Sequence, residues 1–302
     1  MNKVNPLNFA GQTIDVGLDA HKTNWRINAR MDDMEIACFS QNPDTSLLKK
    51  YFDRNYPGAK IRVVYEAGFC GFGIQRSLKE LGIECIVVNA ADVPTTDKER
   101  KRKDDKRDAR KLCRELVDGK MKAIYIPEPS MEHARSLVRQ RGRLVKDQTR
   151  CKNRIKHLLM FSGLVPKSEN ERWSQKYIKE LLQLDCGSHE LKSALYLAIE
   201  EYQNIRKILK EALVLIKELS RQEPFATVQT YLRSIDGIGL INGMVIQTEI
   251  QDIFRFKTLD SLCSYAGFVP DISSSNDIIR IKGITHRNLD YLFADCSQRF
   301  IA

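Results

Sequence analysis

The chain has no Cys-x-x-Cys pair. Its eight cysteines, at 38, 70, 85, 113, 151, 186, 263 and 296, are scattered, which excludes a zinc ribbon and a disulfide framework and leaves reduced, structural thiols. Long hydrophobic runs are missing too: no window approaches the roughly 18 apolar residues of a membrane helix. The start "MNKVNPLNFAGQTIDVGLD" has no apolar stretch between basic residues and a cleavage site, so no secretory signal is read there. Both absences predict a soluble cytoplasmic protein with no membrane partner. Acid is in short supply, with 39 Asp and Glu against 49 Lys and Arg, a net charge of +10 and a pI near 9.1. That imbalance favours polyanionic partners, nucleic acid first. A hydrophobic share of 42% over 302 residues excludes disorder and allows two domains or more.

From Gln12 to about Tyr125, short β-rich runs alternate with helical ones. "TIDVGLD", "WRINARM" and "MEIACFS" read as three strands in series. "DTSLLKKYFDRNY" reads as a helix capped by Asp44 or Thr45, "KIRVVYEA" as a fourth strand, "GFGIQRSLKELG" as a helix closed by Gly82, and "IECIVVN" as a buried fifth strand. Three strands followed by βα units predict a mixed sheet with helices on its faces, the order found in ribonuclease H and RuvC nucleases.

The stretch "KRKDDKRDARK", residues 101–111, sets three aspartates among seven lysines and arginines. A solvated, ion-paired helix face is the bland reading. The other is a carboxylate site for divalent metal inside a field that draws phosphate. Asp105 and Asp108 stand three apart and so share a helix face; Asp19 ends the first strand and Glu66 the fourth. A RuvC-like architecture would gather these acids to hold Mg²⁺ or Mn²⁺, a pair of ions at roughly 3.5–4 Å separation. Hard carboxylate oxygens suit such ions, whereas Cys and His do not. Lys103, Lys106 and Arg107 would then meet nucleic acid. His21, two residues after Asp19, reads as strand-end packing, a phosphate contact or a tuner of that site.

Residues 129–224 read as two long helices joined by a less regular stretch. The first carries nine bases between Arg135 and Lys156 and one acid, Asp147; Arg139, Arg143, Arg150, Lys152 and Arg154 are its candidate nucleic-acid contacts. In the second, Leu191, Leu195, Ala198, Tyr202, Ile205, Leu209, Ala212, Ile216 and Leu219 step by fours and threes. An intramolecular hairpin and an oligomer contact account for that repeat equally well. Cys186 and His189, with no partner pair, read as loop residues. Three regions follow: 1–128, 129–224 and 225–302.

The last region opens with "LRSIDGIGLINGMVIQTEI", two apolar helices around Gly237 and Gly239, a helix–hairpin–helix-like pattern whose turn amides can approach phosphate. Beyond it, Ser273, Ser274 and Ser275 beside Asn276 read as a flexible loop between helical segments.

These pieces together resemble the DEDD transposases of the insertion-sequence 110 and 1111 group and the related Piv-type DNA invertases. "VGLDAHK" (16–22), "YEAGFCGFGIQRSLKELGIECIVVNA" (65–90), "RKDDKRDARKL" (102–112), "LVKDQTRCKNRIKHLL" (144–159) and "LRSIDGIGLINGMVIQTEIQDIFRFKTLDSLCSYAGFVP" (232–270) follow the family's order. The resemblance implies that Asp19, Glu66, Asp105 and Asp108 are the metal ligands, in preference to Asp15 and Asp104, and that Ser275, with Ser274 as fallback, is the nucleophile. It implies recombination of double-stranded donor and target DNA through a phosphoserine link, a guide RNA, a dimer or tetramer, and a nucleoid-associated location. Asn276 stands where the family has glycine, a replacement the loop survives because asparagine tolerates left-handed backbone; relatives continue past the position of Ala302, so the copy reads as naturally short or as truncated, with strand transfer impaired. A Piv-like invertase, a RuvC-like junction nuclease and a non-catalytic nucleic-acid-binding relic are the alternatives.

Overall fold

Alternating apolar runs become strands wherever the chain offers them. In the computed structural model, which describes residues 8–93, 105–164, 166, 173–275 and 278–284 (only the backbone for 105–107 and 270–284), the strands β1 (Thr13–Ala20), β2 (Trp25–Met31) and β3 (Met34–Gln41) form an antiparallel meander. β4 (Lys60–Glu66) and β5 (Glu84–Val88) lie parallel on the other side of β1, giving the order β3-β2-β1-β4-β5.

One face of this sheet is apolar by period two: Ile14, Val16 and Leu18 of β1 line up with Ile27 and Ala29 of β2 and Val63 and Tyr65 of β4. The helices α1 (Thr45–Asn55) and α2 (Gly73–Glu80) close over it with Leu48, Phe52 and Leu78. Burying a side chain such as Phe52 contributes roughly 1.5–3 kcal/mol. Asp44 starts α1 by accepting the Ser46 and Leu47 N–H groups at 2.7 and 3.3 Å. The opposite face holds Asp15, Gly17, Asp19, Val64, Glu66 and Val88, and α3 (Asp105–Val117) crosses it, with Leu112 and Leu116 packed on Val64, Val88 and Val93.

The chain divides into two compact units, residues 1–126 and 127–302. The second unit is built on two long helices, α4 (Pro129–Phe161) and α6 (His189–Leu219), with the short α5 (Gln175–Leu182) between them in sequence. At about 1.5 Å per residue each long helix spans roughly 45–50 Å. They pack against each other: Cys151, Ile155 and Leu159 meet Leu195, Ile199 and Tyr202 near one end, and Ala134 and Val138 meet Ile216 near the other. The repeat on α6 is therefore used inside the chain. The same end takes in Phe225 and Met244, so residues 129–224 and 225–302 share a core. α7 (Ala226–Arg233), α8 (Leu240–Ile250) and α9 (Leu259–Ala266) follow.

One expectation is corrected. Ser273, Ser274 and Ser275 belong to a strand, β6 (Pro270–Ser275), paired antiparallel with β7 (Ile278–Ile284). The C-terminal region is not purely helical, and the serines are not in a loop between helices. β7 has isoleucine at 278, 279, 281 and 284, a β-branched run that recruits the serine segment as its partner. Among the described residues no helix is long and apolar enough to cross a membrane.

Candidate functional site

The first unit's site is organised by how closely α3 approaches β1. Gly17 carries no side chain, and a Cβ there would sit 2.1 Å from the Ala109 carbonyl oxygen and 2.6 Å from the Cys113 nitrogen. Only glycine lets the helix lie this flat on the strand. Cys113 Sγ donates to the Asp15 carbonyl oxygen at 3.1 Å, and burial pushes its thiol pKa up to about 12. Arg110 fixes the helix laterally by donating to both carboxylate oxygens of Glu35 on β3, at 3.0 and 2.9 Å. That guanidinium holds the Glu35 carboxyl below its usual range.

These contacts set the helix direction. Cys113 lies over Asp15 and Gly17, and Ala109 lies over Gly17. One turn further toward the N-terminus of α3 is one step further toward Asp19. Asp19 and Glu66 follow the last β1–β4 register pair, Leu18 with Tyr65, on strands roughly 5 Å apart. Both occupy the α3-covered face. Asp19 keeps 19% side-chain exposure, and its Oδ2 lies 3.1 Å from His21 Nε2.

Asp108, half-buried, and Asp105 are on the first turn of α3, and of Asp105 the backbone alone is described. Among the described residues no three His, Cys, Asp or Glu side chains form a metal-holding group. Asp19, Glu66 and Asp108 alone do not close one. Lys103 lies outside the described residues, and Lys106 and Arg107 are described by backbone only. Below the edge, Asp15, 5% exposed, takes the Arg62 guanidinium at 2.7 and 2.9 Å. Sequence reasoning missed Gly17, Cys113 and the Glu35–Arg110 pair. The available signal was a glycine between Val16 and Leu18 in an otherwise apolar strand.

In the second unit the basic residues of α4 differ from one another. Arg139 forms a two-pronged pair with buried Glu249 at 2.7 and 2.8 Å. Arg150 pairs with Asp147 at 2.7 Å and Arg154 with Glu201 at 2.6 Å. Arg143 is exposed beside Gln140, and Lys152 sits over aromatic rings. Gly237, at φ +88°, and Gly239, which caps α8, form the turn between α7 and α8. Behind that turn Gln229 donates to Gln247 at 2.9 Å. Ser275 ends β6 opposite Ile278, and Ser274 pairs with Ile279.

A model for the transposase family DEDD_Tnp_IS110 matches residues 16–162, the stretch from Asp19 through Asp108 to the end of α4. A second, for the transposase IS116/IS110/IS902 family, matches residues 229–294, which include Gly237, Gly239 and Ser275. The chain belongs to the IS110 family of transposases. Its relatives include the y4qE protein of Sinorhizobium fredii, 29% identical over 73% of this chain and 53% of that protein. The transposase for insertion sequence element IS1533 of Leptospira borgpetersenii is 25% identical over 78% of this chain and 69% of its own length. That for element IS1111A of Coxiella burnetii is 24% identical over 61% and 50%. The chain thus spans about half the length of y4qE and of the IS1111A transposase.

Proposed function

We propose that this IS110-family chain performs DNA strand exchange for an insertion sequence, using a carboxylate site at the C-terminal ends of the central strands β1 and β4 and a serine on the β6–β7 ribbon. One observation supports the reading: Asp19 and Glu66 lie at the C-terminal ends of neighbouring parallel strands on one face, the face that α3 covers through Ala109 and Cys113. That placement supports reading the site as RuvC-like. The donors are all carboxylates, which suits Mg²⁺ or Mn²⁺. Asp19, Glu66, Asp105 and Asp108 would hold a pair of such ions, which supply stabilisation for charge on the entering and leaving oxygens.

The chain's own groups do the rest. Ser275 Oγ forms a bond to a DNA phosphorus, the bond from phosphorus to the strand oxygen breaks, and the hydroxyl proton ends on that departing oxygen. A hydroxyl of the partner strand then displaces the serine and restores its proton. One phosphoester replaces another at each step, so no ATP is consumed. Lys103, Lys106, Arg107 and Arg143 screen the phosphates. The Gly237–Gly239 turn, read as helix–hairpin–helix-like, offers backbone N–H groups to DNA. A guide RNA supplies sequence by pairing while the protein reads backbone and shape, as in other guided systems. A homodimer or tetramer in which the serine of one protomer serves the acids of another fits the family.

The test uses the whole chain with co-purified RNA, Mg²⁺ and element-end DNA, followed by denaturing electrophoresis. The expected result is a protein–DNA adduct that Ser275→Ala abolishes and Asp105→Asn weakens strongly. An adduct that survives Ser275→Ala removes the nucleophile. Cutting without an adduct favours a junction nuclease, and neither cutting nor adduct favours a non-catalytic relic.

A further inference from the structure

Cys186 and His189 stand at the join between α5 and α6, which is held by its own hydrogen bonds. Asp185 Oδ1 accepts the Gly187 N–H at 3.1 Å, Gly187 turns the chain at φ +69°, and Ser188 Oγ caps α6 by accepting the Leu191 N–H at 3.2 Å. Between α5, this join and the start of α6 lies a cavity of about 360 Å³. Leu181, Cys186 and Leu195, none more than 8% exposed, form its floor.

The polar side comes from α6. His189, Lys192, Ser193 and Tyr196 follow at steps of three, one and three, which sets all four along one side of the helix and into the cavity lining. His189, Lys192 and Tyr196 are exposed, Tyr196 by 51%, and so form the rim. The lining holds no carboxylate. It combines an apolar floor, an aromatic ring, a hydroxyl and two basic groups in a space within the roughly 300–1,000 Å³ of small-ligand sites. Cys186 and His189 alone fall short of a zinc ligand set.

We propose that this cavity holds one unpaired nucleotide of a single-stranded nucleic acid. The base enters over the apolar floor and stacks on Tyr196, while its phosphate meets Lys192 and His189 at the rim. A flat ring joined to an anion matches an apolar floor under a basic, acid-free rim. The space admits one nucleotide and no duplex, so the base must leave its stack to enter, as in loops and bulges. The proposal rests on the nucleic-acid role given above and adds a place where a strand, not a duplex, is held.

The experiment uses the full chain and a single strand carrying iodouridine, cross-linked by light and mapped by peptide mass spectrometry, with affinity and salt dependence measured on the same strand. The expected cross-link falls on Tyr196. Tyr196→Ala lowers affinity roughly tenfold, the loss of one base stack, whereas Tyr196→Phe keeps it because the ring alone stacks. Lys192→Gln shrinks the log–log salt slope by about 0.7, and Lys192→Arg leaves it unchanged. Ser193→Leu fills the cavity with both rim bases in place and abolishes the Tyr196 cross-link. A fully paired duplex and a free nucleoside monophosphate compete far more weakly than the strand.

A cross-link that maps outside the cavity overturns the site, as does unchanged affinity in both Tyr196→Ala and Ser193→Leu. Equal competition by the duplex removes the unpaired base, and equal competition by the monophosphate makes the cavity a small-molecule site; either result overturns the proposal. A chain that cross-links at Tyr196 but forms no covalent adduct with element-end DNA fails the strand-exchange reading and leaves this site standing. An adduct without the Tyr196 cross-link does the reverse.

Discussion

Glu249 of α8, 3% exposed, accepts the Arg139 Nε–H and an Nη–H from α4 at 2.7 and 2.8 Å. The Arg135 Nε lies 3.6 Å from the same carboxylate and donates to the Thr248 carbonyl oxygen at 2.9 Å, while Tyr265 donates to the Glu249 carbonyl oxygen at 3.0 Å. Glu249 thereby ties α4 to α8 through its carboxylate and α9 to α8 through its backbone carbonyl. Because the acid is buried and the arginines cannot neutralise themselves, removing the acid costs more than the pair contributes.

Glu249→Gln should lower stability by about 3 kcal/mol, the low end for a broken buried pair, since Arg139 is about one-third exposed. Urea unfolding measures it. In a double-mutant cycle with Arg139→Gln the second change should cost much less than it does alone. Additive losses would mean the two side chains are not coupled.

Gly17→Ala puts a methyl group against helix backbone that has no rotamer to yield. A loss of about 3 kcal/mol is expected, the upper end for overpacking. The Cys113 thiol beneath the helix should become accessible: thiol titration near pH 8 should leave it unreacted in the folded wild type and label it in the variant. Equal labelling in both would show that the helix does not depend on this contact.

The Glu35–Arg110 pair makes the seating of α3 pH-dependent. Arg110 lowers the Glu35 pKa, so the pair's stabilisation is present above the unfolded carboxylate pKa and is lost as pH falls through the lowered folded value. Amide exchange of α3 should speed up at acid pH in the wild type more than in Glu35→Gln, in which that dependence is removed. An identical acid response in both proteins would assign it elsewhere.

The sheet was legible because its apolar positions alternate and its turns are marked; Asp44 and the strands through Val88 lie where the pattern puts them. Gly17 was harder to read because close approach belongs to two segments nearly a hundred residues apart, and one segment's periodicity carries no trace of the other. The arginines of α4 were legible as a charge, but not in their roles. Arg139 has its acid at position 249, so composition within the helix counted it as unmatched. The serine strand was misread because serine has weak preferences of its own, and its partner strand decides the matter.

The central claim is that Asp19, Glu66, Asp105 and Asp108 bind divalent ions together. Mn²⁺ titration followed by electron paramagnetic resonance tests it on the whole chain. The account predicts saturable binding that weakens at least about tenfold in each of Asp19→Asn, Glu66→Gln, Asp105→Asn and Asp108→Asn with helix content unchanged. Wild-type Mn²⁺ affinity in all four variants would contradict it.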